Sequence, residues 1–365
     1  MKKVAIAAAV AGAFSAHATA AELTTFLYQE YALQHSSAGG TSSTSIADAG
    51  SNMLNFSYSD DLGNGLTLIG VYSMTANGAN AGTQGNNADA TTVTADTSTQ
   101  TATGIQNRNS QIGLTGDFGK ITFGTHELMN ELEVILRDGW DANYNVGGDP
   151  IPLTTVTDAN GTTGAAQSFT FIERRSQTIE WTSADMNGVV LNAAYVMEDA
   201  STAPADEEGT EFNVLYSTGA LKLSAGVGSY TDIAGVSGDK YDFSRVSFTY
   251  DAGVVSVAGS VTSNEYTDKS AGVDYKSGGR HINVTMPTAS GKLIANYMAV
   301  GDRDENGVSQ ANSSTTGWDV GYLHDLSANA KSFVRYASRE EDADYDSSQA
   351  SSSTEQIMLG LRFVY

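Results

Sequence analysis

The chain contains no cysteine, which removes disulfides, thiolate nucleophiles and metal sites built on thiolates. Positive charge is also scarce: 19 Lys and Arg stand against 42 Asp and Glu, a formal net charge of -23. Neutralising phosphates requires clustered bases, so a nucleic-acid-binding surface is excluded. No apolar run is long enough for a spanning helix, which excludes a helical membrane protein. Strong helix formers are sparse. What is abundant instead is Gly (38 residues), Ser, Thr, Asn, Asp and Tyr (17 residues), the composition of a β-rich chain with many turns.

The first twenty residues read as an export address. Met1-Lys2-Lys3 is a basic start, Val4 to Phe14 is apolar, and Ala18-Thr19-Ala20 has the small-residue form that precedes a cleavage point. This is a secretory signal peptide over 1–20, too short to span a bilayer. The mature chain then runs over 21–365 as one domain. Removing Lys2 and Lys3 leaves 17 bases against 42 acids, a net of -25. An exported chain without cysteine is not a small disulfide-stapled domain.

Strands come in pairs. From Asn52 the residues Leu54, Phe56 and Tyr58 alternate with Asn55, Ser57 and Ser59, which is period two. Asp60 to Gly65 supplies a tight turn, and Leu66 to Met74 returns. Similar short turns recur at Asp117 to Gly119, Ala184 to Gly188, Thr218 to Ala220, Asp251 to Gly253, Pro287 to Gly291 and Asp325 to Asn329. Between the hairpins lie long polar segments, at Ala76 to Gln106, Glu127 to Thr170, Asp302 to Thr316 and Arg339 to Ser353. The runs predict about sixteen strands of roughly ten residues, the length a tilted strand needs to cross a bilayer. Short turns on one rim and long loops on the other predict an all-β fold, a transmembrane antiparallel barrel. The last strand alternates Ile357, Leu359, Leu361, Phe363 and Tyr365 with Met358, Gly360, Arg362 and Val364. Such an apolar edge calls for a partner, and closure by Leu361, Phe363 and Tyr365 against the first strand, about Glu22 to Leu33, removes it.

Several segments together resemble the general trimeric porins of Gram-negative bacteria: Asp60-Asp61-Leu62-Gly63-Asn64-Gly65-Leu66, Arg108 to Gly119, Arg174-Arg175-Ser176-Gln177-Thr178-Ile179-Glu180-Trp181, and the aromatic final strand. The resemblance spans the mature chain and implies an outer-membrane homotrimer among lipid and lipopolysaccharide, passing small hydrophilic solutes. It also implies a long third loop folded into the lumen as a constriction.

That loop is Glu127 to Thr170. It carries Glu127, Glu131, Glu133, Asp138, Asp141, Asp149 and Asp158 against one base, Arg137. The expectation is that Glu127, Glu131, Glu133, Asp138 and Asp141 line the narrowest point. Strand parity, with Ile179 and Trp181 on the lipid face, sends Arg174, Thr178 and Glu180 inward, and the resemblance also puts a constriction arginine at Arg174. The same parity makes Lys222, Arg245, Arg335 and Arg362 lumen-facing bases. Where related porins often carry another arginine, Phe123-Gly124 is followed here by Thr125 and His126. A lumen with excess carboxylate concentrates cations, so the channel is expected to prefer them.

Other constellations weigh less. His35, His126, His281 and His324 fall on separate elements with no Ser or acid at a catalytic spacing, so no enzyme is expected. Asp302-x-Asp304-x-Asn306-Gly307 opens like a calcium loop, but its twelfth position is Ser313 rather than Glu. No metal site or cofactor is expected. The rival is a secreted soluble β-rich adhesin or calcium-binding surface protein, which would be soluble where a porin fractionates with outer membranes and needs detergent.

Overall fold

In a computed structural model the described residues are 22–38, 40–48, 52–76, 105–128, 139–140, 154–157, 166–169, 174–197, 208–232, 238–269, 271–342 and 351–365. The signal peptide lies outside them, as do Glu131, Glu133, Asp138, Asp141, Asp149 and Asp158. No helix occurs among the described residues.

The strands in order are β1 (Glu22–Ala38), β2 (Thr41–Asp48), β3 (Met53–Gly63), β4 (Leu66–Ala76), β5 (Ile105–Gly116), β6 (Gly119–Glu127) and β7 (Thr154–Thr157). They continue with β8 (Ala166–Phe169), β9 (Arg174–Thr182), β10 (Val189–Val196), β11 (Glu208–Thr218), β12 (Leu221–Thr231), β13 (Lys240–Asp251) and β14 (Ser256–Asp268). Last come β15 (Val273–Thr288), β16 (Gly291–Val300), β17 (Asp304–Glu305), β18 (Val308–Ser309), β19 (Thr315–Asp325), β20 (Ala330–Glu341) and β21 (Ser352–Val364). β1 pairs with β3 along its first part and with β2 along its second, so β2 and β3 act as one interrupted strand. Apart from the small hairpins β7–β8 and β17–β18, sixteen antiparallel strands follow one another round a closed circuit.

Closure occurs where the final strand predicted it. β21 lies against β1 from Tyr28↔Val364 to Ala38↔Thr354, and Leu27 and Tyr365 exchange backbone hydrogen bonds at 2.8 and 2.9 Å. Leu359, Leu361, Phe363 and Tyr365 point outward and are exposed, while Met358 and Arg362 point inward and are buried. Among the described residues the barrel sheet is left with no edge strand to template aggregation.

Turn chemistry sets the short rim. Asn64-Gly65 and Asn187-Gly188 both have positive φ at both residues, the backbone that a two-residue hairpin needs to match strand twist. Asp61 accepts the Gly63 amide at 2.8 Å, and Asp185 accepts the Gly188 amide at 2.6 Å. The opposite rim departs from a strict rule of long loops. Ala38 to Thr41 and Asp268 to Val273 are tight there, the second because Asp268 caps the Ala271 amide and accepts the Gly272 amide, each at 2.8 Å. The calcium-like segment is also a hairpin turn. Asn306 and Gly307 have positive φ and join β17 to β18, and Arg303 binds Glu305 at 2.8 Å.

The exterior overturns the soluble rival. Val246, Val261, Leu359 and Leu361 are 60–63% exposed on the outward face, beside outward Tyr250, Tyr297 and Trp318. A water-soluble sheet buries that face. Here it is what meets lipid, with aromatic residues toward both rims.

Candidate functional site: the barrel lumen

The inward parity is polar and charged. Glu30, Arg108, His126, Glu180, Asn192, Glu211, Arg245, Asn283, Asn296, Asp319, Arg335 and Arg362 are all buried. In a closed barrel these side chains have only one another and the lumen to satisfy them.

The third connection enters this space. It leaves β6 at Leu128, fully buried in a cluster that includes Tyr230, Tyr241, Phe243, Tyr266 and Tyr275 of β12–β15. It is fixed again at Trp140, seated on the far side of the circuit among Ala32, Ile294, Leu323, Phe333 and Met358. The Trp140 indole N–H donates to Asp319 at 2.7 Å. Arg335 donates to the same carboxylate at 2.8 Å and lies 5.0 Å over the indole ring. Asn296 donates to it at 3.0 Å. From β21, Arg362 donates to the Trp140 carbonyl at 2.7 Å and to the Glu30 carboxylate, and Tyr28 donates to Glu30 at 2.5 Å. Gly139 has φ +76, and a Cβ there would meet Thr285 Oγ1 at 2.6 Å. Only glycine lets the chain come this close to the wall.

These contacts relocate several expected bases. Arg335 and Arg362 do face inward, as does Arg245, but they are packed against the wall. Arg335 and Arg362 are bonded to Asp319 and Glu30 beneath Trp140. Arg245 lies 4.3 Å over the Phe243 ring. Lys222 is on the inward parity near the short turns and is exposed. Glu180 is inward and buried, accepting from Asn192 at 2.7 Å.

The alternation that pointed Arg174 inward does not carry along β9. Simple alternation from Ile179 fails because β9 bulges: Gly124 pairs with Thr178, but His126 pairs with Arg175, and Gln177 has φ +52. One extra residue on β9 reverses parity. The inward rung therefore belongs to Arg175, whose guanidinium lies 5.0 Å over the Tyr230 ring. The Arg174 side chain lies outside the described residues. Glu127 is likewise not a free lumenal carboxylate. It is 3.7 Å from Arg108 and within 3.5 Å of the Asn109 amide.

Sequence reasoning missed Trp140, Arg175, Glu30, Glu211 and Asp319. Glu211 was findable, since it alternates with outward Phe212 on β11. Tyr230 donates to it at 2.6 Å. The histidines form no joint site: His126 binds Thr122 at 2.8 Å, His281 binds Asn296 at 3.1 Å, and His35 binds Thr44 at 2.8 Å.

Known structures share this architecture. An anion-selective porin from Comamonas acidovorans is similar with a TM-score of 0.75 at 18% identity, covering 94% of this chain and 100% of that one. The trimer form of OmpT, an outer membrane protein of Vibrio cholerae, gives 0.66 at 15%, covering 95% and 100%. Salmonella typhi OmpF, in complex with daunomycin, gives 0.62 at 13%, covering 94% and 97%. No curated protein sequence matches the chain. Residues 5–344 match the family described as Gram-negative porin, and the chain belongs to that family of outer-membrane channels.

Proposed function

We propose that the protein is a diffusion porin, passing small hydrophilic solutes and ions passively without chemistry, and that it prefers cations. One observation carries the diffusion reading. A closed sixteen-strand circuit is apolar outside and charged inside, with a connection anchored within the lumen at Leu128 and Trp140.

The cation preference rests on a local balance. The inward arginines 335 and 362 are matched one for one by Asp319 and Glu30, so the wall beneath Trp140 is neutral. Beyond β6 the third connection adds six carboxylates against Arg137. Glu131, Glu133, Asp138 and Asp141, with Glu180 at the wall, then form the acidic side of the constriction, and Arg175 lies beside it on the inward rung of β9. Comamonas porin is described as anion-selective, so the sign of selectivity is a property to be measured on this chain. The functional unit in this proposal is a homotrimer of chains beginning at Ala21, embedded in outer-membrane lipid and lipopolysaccharide. Purified protein added to planar bilayers should give stepwise conductance increments in KCl. A preparation that folds to a heat-modifiable barrel yet never conducts contradicts the proposal.

A further inference from the structure

The inward faces of β14 and β15 carry a row of polar groups that the wall itself does not satisfy. Among the described residues, Ser260 Oγ, Thr262 Oγ1 and Asn264 Nδ2 on β14 and Ser277 Oγ and His281 Nδ1 on β15 have no hydrogen-bond partner. All five residues are buried, at 8% exposure or less. A buried polar atom without a partner carries its full desolvation cost, and folded proteins hold few of them. Five on two adjacent strands mark a surface built to bond something other than the wall.

The register sets their spacing. Asn264 faces Ser277, Thr262 faces Gly279 and Ser260 faces His281, three inward rungs in succession. The row is therefore about 13 Å long and one strand spacing, about 5 Å, wide. Gly279 adds no side chain to the middle rung, which leaves a notch between Ser277 and His281, and Arg245 of β13 lies beside Thr262 in the same rung. Along β15 the row falls between the two anchors of the third connection. Tyr275 on one side belongs to the Leu128 cluster. Asn283 on the other meets Gly139, where a Cβ would come within 2.8 Å of its amide nitrogen.

The chemistry is that of an uncharged ligand. Each of the three hydroxyls can donate or accept. The Asn264 amide nitrogen donates, its oxygen being taken by the Tyr241 hydroxyl at 2.8 Å. His281 Nε2 meets Asn296 Oδ1 at 3.1 Å. Because the Asn296 amide nitrogen donates to Asp319 at 3.0 Å, Nε2 is the donor in that contact and the neutral ring keeps Nδ1 to accept. No carboxylate belongs to the row. Mixed donors and acceptors without charge match a ligand whose own hydroxyls donate and accept at once. We propose that this row is a binding subsite for an uncharged polyhydroxylated solute, a short oligosaccharide laid along β14 and β15. The proposal deepens the diffusion reading of the lumen and rests on it.

The test records the full channel in planar bilayers while maltotriose is titrated into both chambers. A polyethylene glycol of the same hydrodynamic radius is the control, since ether oxygens accept but cannot donate. Maltotriose should reduce the single-channel current saturably, and the polymer only in proportion to its concentration. Thr262→Val combined with Ser277→Ala should raise the concentration for half block roughly tenfold, the worth of two hydrogen bonds. Ser263→Ala, which removes an exposed outward hydroxyl on β14, should leave it unchanged. Maltotriose should also raise the temperature at which the barrel unfolds on gels for the unmodified protein and Ser263→Ala, but not for the double variant. A block that never saturates, or a double variant equal to the unmodified channel, overturns the proposal. So does saturable block by gluconate where maltotriose gives none, which would make charge at Arg245 the determinant. Conductance in KCl alone, recorded first on the same channels, separates the two readings. Normal conductance without saturable block defeats this inference and leaves the diffusion reading standing. Barrels that never conduct defeat the diffusion reading, and the thermal shift then decides the subsite.

Discussion

Arg174 and Arg175 differ by one position, and a single bulge decides which of them faces the lumen. Gln177 with φ +52 inserts the extra residue, and the Tyr230 ring receives Arg175. Replacing Arg175 by Ala should raise the preference for potassium over chloride in a KCl gradient, and Arg174→Ala should change it less. The reverse order would place the inward rung at Arg174. Trp140 acts differently, because its surroundings are charge-balanced. Its removal deletes an indole fully enclosed by wall residues, a loss of about 3–5 kcal/mol of local packing. The barrel itself keeps its strand ladder. Trp140→Ala should therefore still fold to a heat-modifiable barrel but show noisier conductance, with closures at lower voltage, than the unmodified channel. Noise and closure voltage identical to the unmodified channel would show that Trp140 does not hold the third connection in place.

At the scale of elements, the seam between β1 and β21 matters most. Phe363 pairs with Gln29 and Val364 with Tyr28, and Tyr365 exchanges backbone bonds with Leu27. Deleting Phe363-Val364-Tyr365 strands those backbone groups where no water reaches them, so barrel yield should fall far more than the conductance of the few channels that assemble. Normal yields of heat-modifiable barrel would contradict this. The seam was legible in the sequence because Ile357 to Tyr365 alternates without interruption, and a two-residue period fixes which side each residue faces. The hairpin turns were legible for a similar reason, since pairs such as Asn64-Gly65 announce a positive φ. Bulges escaped: nothing in Arg174 to Trp181 marks Gln177 as the residue that breaks alternation. Trp140 escaped because the long third connection has no period, and its seat is assembled from β1, β16, β19, β20 and β21, remote in sequence. The tight connection at Asp268 to Val273 was hidden by the expectation that every connection on that rim is long.

For the whole molecule, the question is what the outer and inner surfaces do together. The outward face of β1–β6 exposes Leu33, Ile46, Tyr72, Ile112 and Phe123, and Arg108 and Lys120 are the only Lys or Arg between Glu22 and His126. A wall so poor in positive charge suits packing against a second copy. The protein should run on unheated gels as an SDS-resistant oligomer that falls to monomer on heating, and monomer alone in mild detergent after cross-linking would contradict the trimer. Inside, the wall arginines beneath Trp140 are neutralised, and in the proposed constriction the third connection and Arg175 together set the sign of the field. Screening acts over about 8 Å at physiological salt, comparable with the half-width of such a pore, so fixed charge should bias permeation there and fade in concentrated salt. The most direct measurement is the reversal potential of single channels in a KCl gradient, for the unmodified protein and for a variant combining Glu131→Gln, Glu133→Gln and Asp138→Asn. The account predicts discrete conducting channels that favour potassium, a preference that shrinks as ionic strength rises and is reduced by the triple replacement. Chloride preference in the unmodified channel, or a triple variant indistinguishable from it, would contradict the account.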